Sequence, residues 1–224
     1  MDTIDWVTEF ARVISCSKCD PAICPKMVRD NGENVPQPGF IGSRFAEKRV
    51  LLVGQNPGNP NDRLLYRDRR YTGVLRNLRD NASIENWTRL ESVLSEFVPE
   101  WPVQRNYFPL QESGLSLDEI AYFNIVRCRT VANSKPSKSM VSECTVNHFE
   151  RWLTLLRPRV VVFIGKWAFD CGARFANQQR IPCTFMNRKR SLSAMAREEN
   201  RQQVAAFIRA NVFAHADPVG ERTR

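Results

Sequence analysis

Four short runs of apolar residues constrain this chain more than any other feature: "RVLLVG" at 49–54, "AYFNIVR" at 121–127, "RVVVFIG" at 159–165 and "IPCTFMN" at 181–187. A strand with one solvated face alternates apolar and polar side chains. Runs that are apolar at nearly every position belong to strands covered on both faces, as in parallel sheets. Between the runs lie helical patterns. Ile4, Val7, Phe10, Ala11 and Ile14 form one stripe, and Trp87, Leu90, Val93, Leu94 and Phe97 another within 86–97. Val141, Cys144, Phe149, Trp152, Leu153 and Leu156 do so within 139–156, and Met195, Val204, Phe207 and Ile208 within 192–212. This alternation predicts a three-layer α/β/α sandwich around a short, mainly parallel four-stranded sheet. The segment from Cys16 to Gly42, rich in Cys, Pro and Gly, reads as irregular loop. A single domain is expected over residues 1–214, with 215–224 as a fraying tail. Ligands of open α/β sheets bind beyond the carboxyl ends of the strands, where Gly54, Asn124, Gly165 and Asn187 fall.

With 42% apolar and 25% charged residues, the chain is of ordinary globular composition. It has no run of membrane-spanning length, and its acidic, amphipathic beginning does not resemble a signal peptide. The expectation is a soluble, cytoplasmic monomer. The net charge is +9, and arginines are concentrated in "RLLYRDRRYTGVLRNLR" and "NRKRSLSAMAREENR". Such clusters suit a polyanionic partner, because each cation set on a phosphate releases a condensed counterion. A generic basic surface is the alternative.

The chain has seven cysteines, an odd number that argues against a disulfide framework. Cys171 and Cys183 sit among apolar residues and read as small core side chains. Cys16 and Cys19 form a "CSKC" pair whose two-residue gap lets both thiolates turn toward one metal or cluster. Cys128 ends the second strand and Cys144 lies on the following helix, a spacing wider than zinc sites use and suited to an iron–sulfur cluster. The same residues also read as a chance pair in a loop and a buried core cysteine.

Joined together, several motifs acquire a meaning that none has singly. They are the N-terminal Cys-x-x-Cys, the turn "GQNPG" from Gly54 to Gly58, and the strand ending "FNIVRCR". The cysteine sixteen positions beyond Cys128 and the segment "LRPRVVVFIGKWA" complete the set. In this order they resemble the iron–sulfur-containing branch of the uracil-DNA glycosylase superfamily, over most of the chain. The resemblance implies a structural 4Fe–4S cluster on Cys16, Cys19, Cys128 and Cys144, with Cys24 as a substitute ligand. It implies that Asn56 orients the water that attacks the sugar of a flipped nucleotide, and that Gln55 contacts the base. It implies that Asn124 reads the base edge and that Tyr71 stacks on the extruded ring. Without the resemblance, Asn-Pro-Gly is also an ordinary strand exit and Asn124 a buried amide satisfied by backbone.

The chain departs from the family late in the sequence. Where the family carries His-Pro-Ser beyond the fourth strand, this chain reads "FMNRKRS", and its histidines, His148 and His215, lie elsewhere. Asn187 takes the position, an exchange also seen in the mismatch-directed branch, and a cationic donor to the departing base is lost. Arg188, Lys189, Arg190 and Ser191 are expected either to restore positive charge or to grip DNA phosphates, or else form a solvated basic loop. The interval before Asn124 is long and holds Trp101, Tyr107 and Phe108, suited to a pocket mouth or to packing. These departures shift the expectation toward a monofunctional glycosylase acting on single- or double-stranded DNA at an altered pyrimidine, such as a hypermodified base of phage DNA, or at uracil. A non-catalytic iron–sulfur DNA-binding protein is the alternative. A nuclease or RNA-binding role is weaker, since Asp62, Asp68 and Asp80 sit among arginines without a second carboxylate set.

Overall fold

The computed structural model describes residues 5–19, 22, 24–28, 34–189 and 191–213. The first helix, α1 (Trp6–Ile14), is capped by Asp5, whose carboxylate accepts from the Thr8 amide; Ile4 lies outside the described residues. Two short strands, β1 (Met27–Val28) and β2 (Phe40–Ile41), break the segment expected to be irregular. A one-turn helix, α2 (Phe45–Lys48), leads into β3 (Val50–Gly54), which is buried at every position.

After the Asn-Pro-Gly turn the arginine-rich stretch forms α3 (Leu65–Asp80), and Ser83 caps α4 (Ile84–Phe97). The short α5 (Pro102–Tyr107) and α6 (Leu110–Ser113) precede β4 (Ile120–Asn124), again wholly buried, and β5 (Arg129–Thr130). The helix expected over 139–156 is one continuous rod in three pieces. These are α7 (Lys138–Cys144), a π-helical turn at Thr145–Phe149, and α8 (Glu150–Leu156). The chain closes with β6 (Val160–Ile164), α9 (Lys166–Gln178), β7 (Cys183–Met186) and α10 (Ala194–Val212). Among the described residues no helix is long and apolar enough to cross a membrane.

The main sheet runs β2-β4-β3-β6-β7. The four strands read from the sequence are parallel neighbours, in register from Val50 with Ile120 and with Val160. β2 adds a fifth, antiparallel strand at the edge of β4. β3 lies between β4 and β6, so the connections diverge at the carboxyl end of β3, where a crevice opens. β1 and β5 make a separate antiparallel ribbon.

Trp152 anchors the layer that covers one face, with ring centroids 5.9 Å from Trp6, 5.3 Å from Phe10 and 5.4 Å from Phe123. Two sequence expectations about burial fail here. Met195 is 71% exposed although it lies within α10, whose buried residues begin only at Val204. Cys171 and Cys183 are half-buried rather than in the core.

α1 is also clamped electrostatically. The buried Glu9 carboxylate accepts from Arg151 Nε at 2.9 Å and from Arg12 Nε at 3.2 Å. The Arg151 hydrogen bond, foremost, holds the Glu9 carboxyl below its ordinary pKa. A carboxyl whose folded-state pKa is depressed contributes stability that is present above its unfolded value and lost as pH falls through the folded value. Glu9→Gln is therefore expected to lower the thermal midpoint at neutral pH, and the deficit should shrink on acidification. A deficit independent of pH would contradict the clamp.

Candidate active site

A cavity of about 330 Å³ opens at the carboxyl ends of β3 and β4. Its wall combines the Asn56–Pro60 turn, Tyr122 and Asn124 at the end of β4, and Arg67, Asp68 and Tyr71 from α3. Trp101 closes it, and Arg129 and Arg188 complete it.

Gly54 makes this arrangement feasible. A Cβ there would lie 2.2 Å from Asn124 Oδ1 and 2.5 Å from Tyr122 Oη, so only a bare backbone admits both groups. Tyr122 Oη donates to Asn124 Oδ1 at 2.9 Å, which fixes the orientation of the amide. Burial pushes the Tyr122 hydroxyl up to about 12 and raises that of Tyr71 as well, so both stay neutral donors near neutrality. The buried Tyr71 hydroxyl has no partner among the described residues, and its ring meets Trp101 edge-on at 6.4 Å.

Asn56 is held by its nitrogen. Nδ2 donates to Pro57 O and to Thr130 Oγ1, each at 3.2 Å, and Thr130 in turn donates to Ser134 O at 2.6 Å. A carbonyl only accepts, so the Pro57 contact assigns the amide unambiguously. Oδ1 of Asn56 is left without a donor among the described residues. The turn is pinned further by Asn59, whose Nδ2 donates to Thr130 O at 3.1 Å and whose backbone N–H donates to Asn133 Oδ1 at 2.7 Å. No sequence pattern pointed to Thr130, since it meets Asn56 across 74 positions.

Asp68 and Arg129 form a bidentate pair on the cavity wall, with Arg129 Nη1 at 2.8 Å from Asp68 Oδ2 and a second, parallel contact from Nη2 to Oδ1. Asp68 therefore neutralises a buried arginine from elsewhere in the chain rather than its own helix. Arg70 pairs with Glu96 at 2.7 Å, and Arg201 with Glu112 at 2.5 Å while also donating to backbone carbonyls before α6. Part of the basic surplus is thus structural, and Arg201 belongs to the packing of α10 on α6.

The late motif divides in a way the sequence did not foretell. Asn187, expected in the site, does not line the cavity. Its Oδ1 accepts from the Lys189 amide at 3.0 Å, and its own amide donates to Asn200 Oδ1 at 2.7 Å. The next residue reaches the cavity instead. Arg188 packs its methylenes beside Gly165, where a Cβ would be 3.3 Å away, and lays its guanidinium 4.9 Å from the Tyr107 ring centroid. Among the described residues no carboxylate pairs with it. Lys189 and Ser191 are exposed, and Arg190 and His215 lie outside the described residues. Gln55 is half-buried and away from the cavity wall; its carbonyl accepts from the Val126 amide at 3.0 Å.

The family follows from comparison. The model of the uracil DNA glycosylase superfamily matches residues 43–210, a span containing the whole cavity except Gln37 and Gly39. The chain belongs to the uracil DNA glycosylase superfamily. It is similar to the type-4 uracil-DNA glycosylase of Sulfurisphaera tokodaii, 22% identical over 166 residues, which are 74% of this chain and 56% of that protein. The chain thus spans little more than half the length of the curated relative it matches.

The cysteines that this superfamily resemblance singled out meet at a second, smaller pocket, which shares no lining residue with the cavity. Cys16, Cys19, Cys128 and Cys144 line one small pocket with Met27, Pro36, Arg127 and His148. Among the described residues no group of three or more His, Cys, Asp or Glu converges closely enough to hold a single metal ion. A hydrogen bond with Cys144, then burial, pushes the Cys19 thiol well up. Cys24 is buried, 3.7 Å from Ser139 Oγ, and is not part of the pocket wall.

The surroundings suit a net-anionic group ringed by thiolates, as a 4Fe–4S cluster is. Arg127 is 1% exposed, with its guanidinium 4.2 Å from the Phe123 centroid and 4.6 Å from that of Trp152. Nη1 donates to Pro38 O, while among the described residues Nε and Nη2 find no acceptor. Both ring nitrogens of the buried His148 are likewise without a partner among the described residues. Burial draws Arg127 down to about 9, and burial with Arg127's charge draws His148 down to about 3. Four sulfur donors, a buried cation and unused N–H groups fit the cluster.

Gly54→Ala is expected to cost about 1–3 kcal/mol of stability through overpacking against Tyr122 and Asn124. Gly73→Ala, where nothing lies within 4 Å, should stabilise the chain by about 0.5–1 kcal/mol. Denaturant midpoints of the two variants test the pair; equal shifts would contradict the close approach at Gly54.

Proposed function

We propose that the protein is a monofunctional DNA glycosylase that receives a flipped pyrimidine in the 330 Å³ cavity and hydrolyses its N-glycosidic bond. The observation that carries this reading is the tethering of Asn56 by its nitrogen, which leaves Oδ1 free to accept from a water. In the reaction the C1′–N1 bond breaks, its electrons pass to the base, and the water oxygen bonds to C1′ while its proton is lost to solvent. A loose, cation-like sugar needs a positioned nucleophile more than a strong base, so an amide suffices. Arg188, set in the cavity wall beside Tyr107, supplies positive charge to the departing base in place of the family's histidine. Asn187 acts one step removed, by holding the turn that presents Arg188.

Asn124 reads the base. With its oxygen engaged by Tyr122, its nitrogen is the end left to donate, which favours a base with a carbonyl on that edge. Tyr71 and Trp101 supply the apolar walls. The cavity reaches the lower end of the range for drug-sized ligands, about 300–1,000 Å³. That favours an altered, enlarged pyrimidine, as phages place in their DNA, over plain uracil, and with it a role in antiviral defence. Among the described residues no lysine lines the cavity, so release of the base should leave an abasic site without strand cleavage by a Schiff base. The exposed Lys189 and Ser191 suit phosphate contacts. A 4Fe–4S cluster on Cys16, Cys19, Cys128 and Cys144, when bound, supplies a covalent cross-link between the N-terminal segment, the β4–β5 segment and α7.

Single- and double-stranded oligonucleotides carrying uracil, 5-hydroxymethyluracil or glycosylated pyrimidines, treated with protein and then alkali, test this proposal. Base release is expected from at least one. Asn56→Ala should lose about 100-fold in turnover while keeping its DNA affinity. Arg188→Gln should lose about as much, and least on a 5-fluorinated base, which departs more readily. Intact strands throughout the panel would refute the activity. An Arg188→Gln defect that lies wholly in KM would assign that residue to DNA binding.

A further inference from the structure

Arg127 is a buried cation that no carboxylate pairs with among the described residues. Isolated charge in a protein interior costs several kcal/mol unless an anion and hydrogen bonds accompany it. Among the described residues the buried carboxylates are already engaged, Glu9 by Arg12 and Arg151 and Glu119 by Ser116 and Arg44, as is the half-buried Asp68 by Arg129. The rings of Phe123 and Trp152, themselves 5.4 Å apart, flank the guanidinium on one side, and Nε and Nη2 have no acceptor among the described residues. The pocket that Arg127 lines holds four cysteines, and His148, with neither nitrogen partnered, lines it as well. The π-helical turn Thr145–Phe149 carries His148 to the pocket that Cys144 enters from the preceding turn.

We propose that Arg127 is the counter-cation of the iron–sulfur cluster, donating through Nε and Nη2 to its sulfur ligands, with His148 as a second donor. This rests on the reading of Cys16, Cys19, Cys128 and Cys144 as cluster ligands. Both are positioning residues: they touch the sulfurs and not the substrate. A positive charge and N–H donors beside a cluster stabilise its more reduced, more anionic state, so they raise its reduction potential whichever couple is measured. They also offset repulsion among the thiolates and thereby slow loss of iron. The arrangement places the charge one residue before Cys128 and three residues beyond Asn124, so the cluster's electrostatic anchor and the base reader share one stretch of chain.

Full-length protein purified without oxygen, as wild type, Arg127→Met, Arg127→Lys and His148→Phe, tests the proposal by three readouts. These are iron and sulfide content, the lifetime of the visible absorbance in the presence of a chelator, and the midpoint potential by voltammetry. Arg127→Met keeps the length of the stem beside the two rings while removing charge and donors. It should lower the potential and shorten the lifetime roughly 10-fold or more. Arg127→Lys should recover most of both, and His148→Phe should lower the potential to a smaller extent.

An unchanged potential and lifetime in folded Arg127→Met, or equal losses in the Met and Lys variants, would overturn the proposal. Should Arg127→Met fail to fold, His148→Phe decides: wild-type behaviour of that variant overturns it. Wild-type protein carrying zinc, or no iron and sulfide, sinks the cluster reading itself. Iron-loaded wild type with indifferent variants sinks only the role of Arg127.

Discussion

The site depends on how the chain leaves β4. Beyond Asn124 the segment does not turn away. Ile125 and Val126 donate to the carbonyls of Gly54 and Gln55 at 2.9 and 3.0 Å, prolonging the parallel pairing past the end of the sheet. Those two hydrogen bonds hold seven consecutive residues in a fixed relation to the Asn-Pro-Gly turn. Asn124 enters the cavity, Arg127 and Cys128 enter the cysteine pocket, Arg129 clamps Asp68 of α3, and Thr130 holds the amide of Asn56. A strand that stopped at Asn124 would leave the turn, the helix and the cysteines without a common support.

The cavity wall mixes apolar and polar groups. Trp101, Phe97 and the ring of Tyr71 supply its apolar part from the long insertion and its flanking helices, which also bring Arg67, Asp68 and Glu100. The β3–β4 side presents amides, hydroxyls and Arg129, which pairs with Asp68 of α3. Neutral donors dominate that side, since burial keeps both tyrosines protonated. The full positive charges on the wall that lack a carboxylate partner among the described residues are Arg67, which lies over the Phe97 ring, and Arg188. A site of this kind stabilises charge that develops on a leaving group better than charge already present on a ligand.

Much of the fold was legible because parallel strands buried on both faces must be apolar throughout, and "VLLV" and "VVVFI" satisfy that without ambiguity. β2 was not, for two residues carry no periodicity and its antiparallel pairing with β4 is a tertiary event. The π-helical turn leaves no compositional mark, and the helical stripe of α10 was extended one turn too far at Met195. At the site, the Asn56 turn and Asn124 could be placed from their positions beside strand ends, whereas Tyr71, in the middle of α3, was named by the family resemblance alone. Asn187 and Arg188 show the limit. A strand's side chains alternate faces, so where β7 ends decides which of two adjacent residues meets the cavity. The Asn56–Thr130 and Asp68–Arg129 contacts bridge 74 and 61 positions, and no local pattern encodes such pairs.

Under the proposed activity, a nucleotide swung out of DNA comes to rest against Asn124 with a water held by Asn56. The most direct test is a crystal structure of the protein with an oligonucleotide whose target sugar carries a 2′-fluorine in the arabino configuration, which slows bond cleavage. The account predicts the base between Trp101 and Asn124, its carbonyl on the Asn124 nitrogen, and a water between Asn56 Oδ1 and C1′. A target base still stacked in the DNA, or DNA bound on a face remote from the carboxyl ends of β3 and β4, would contradict it.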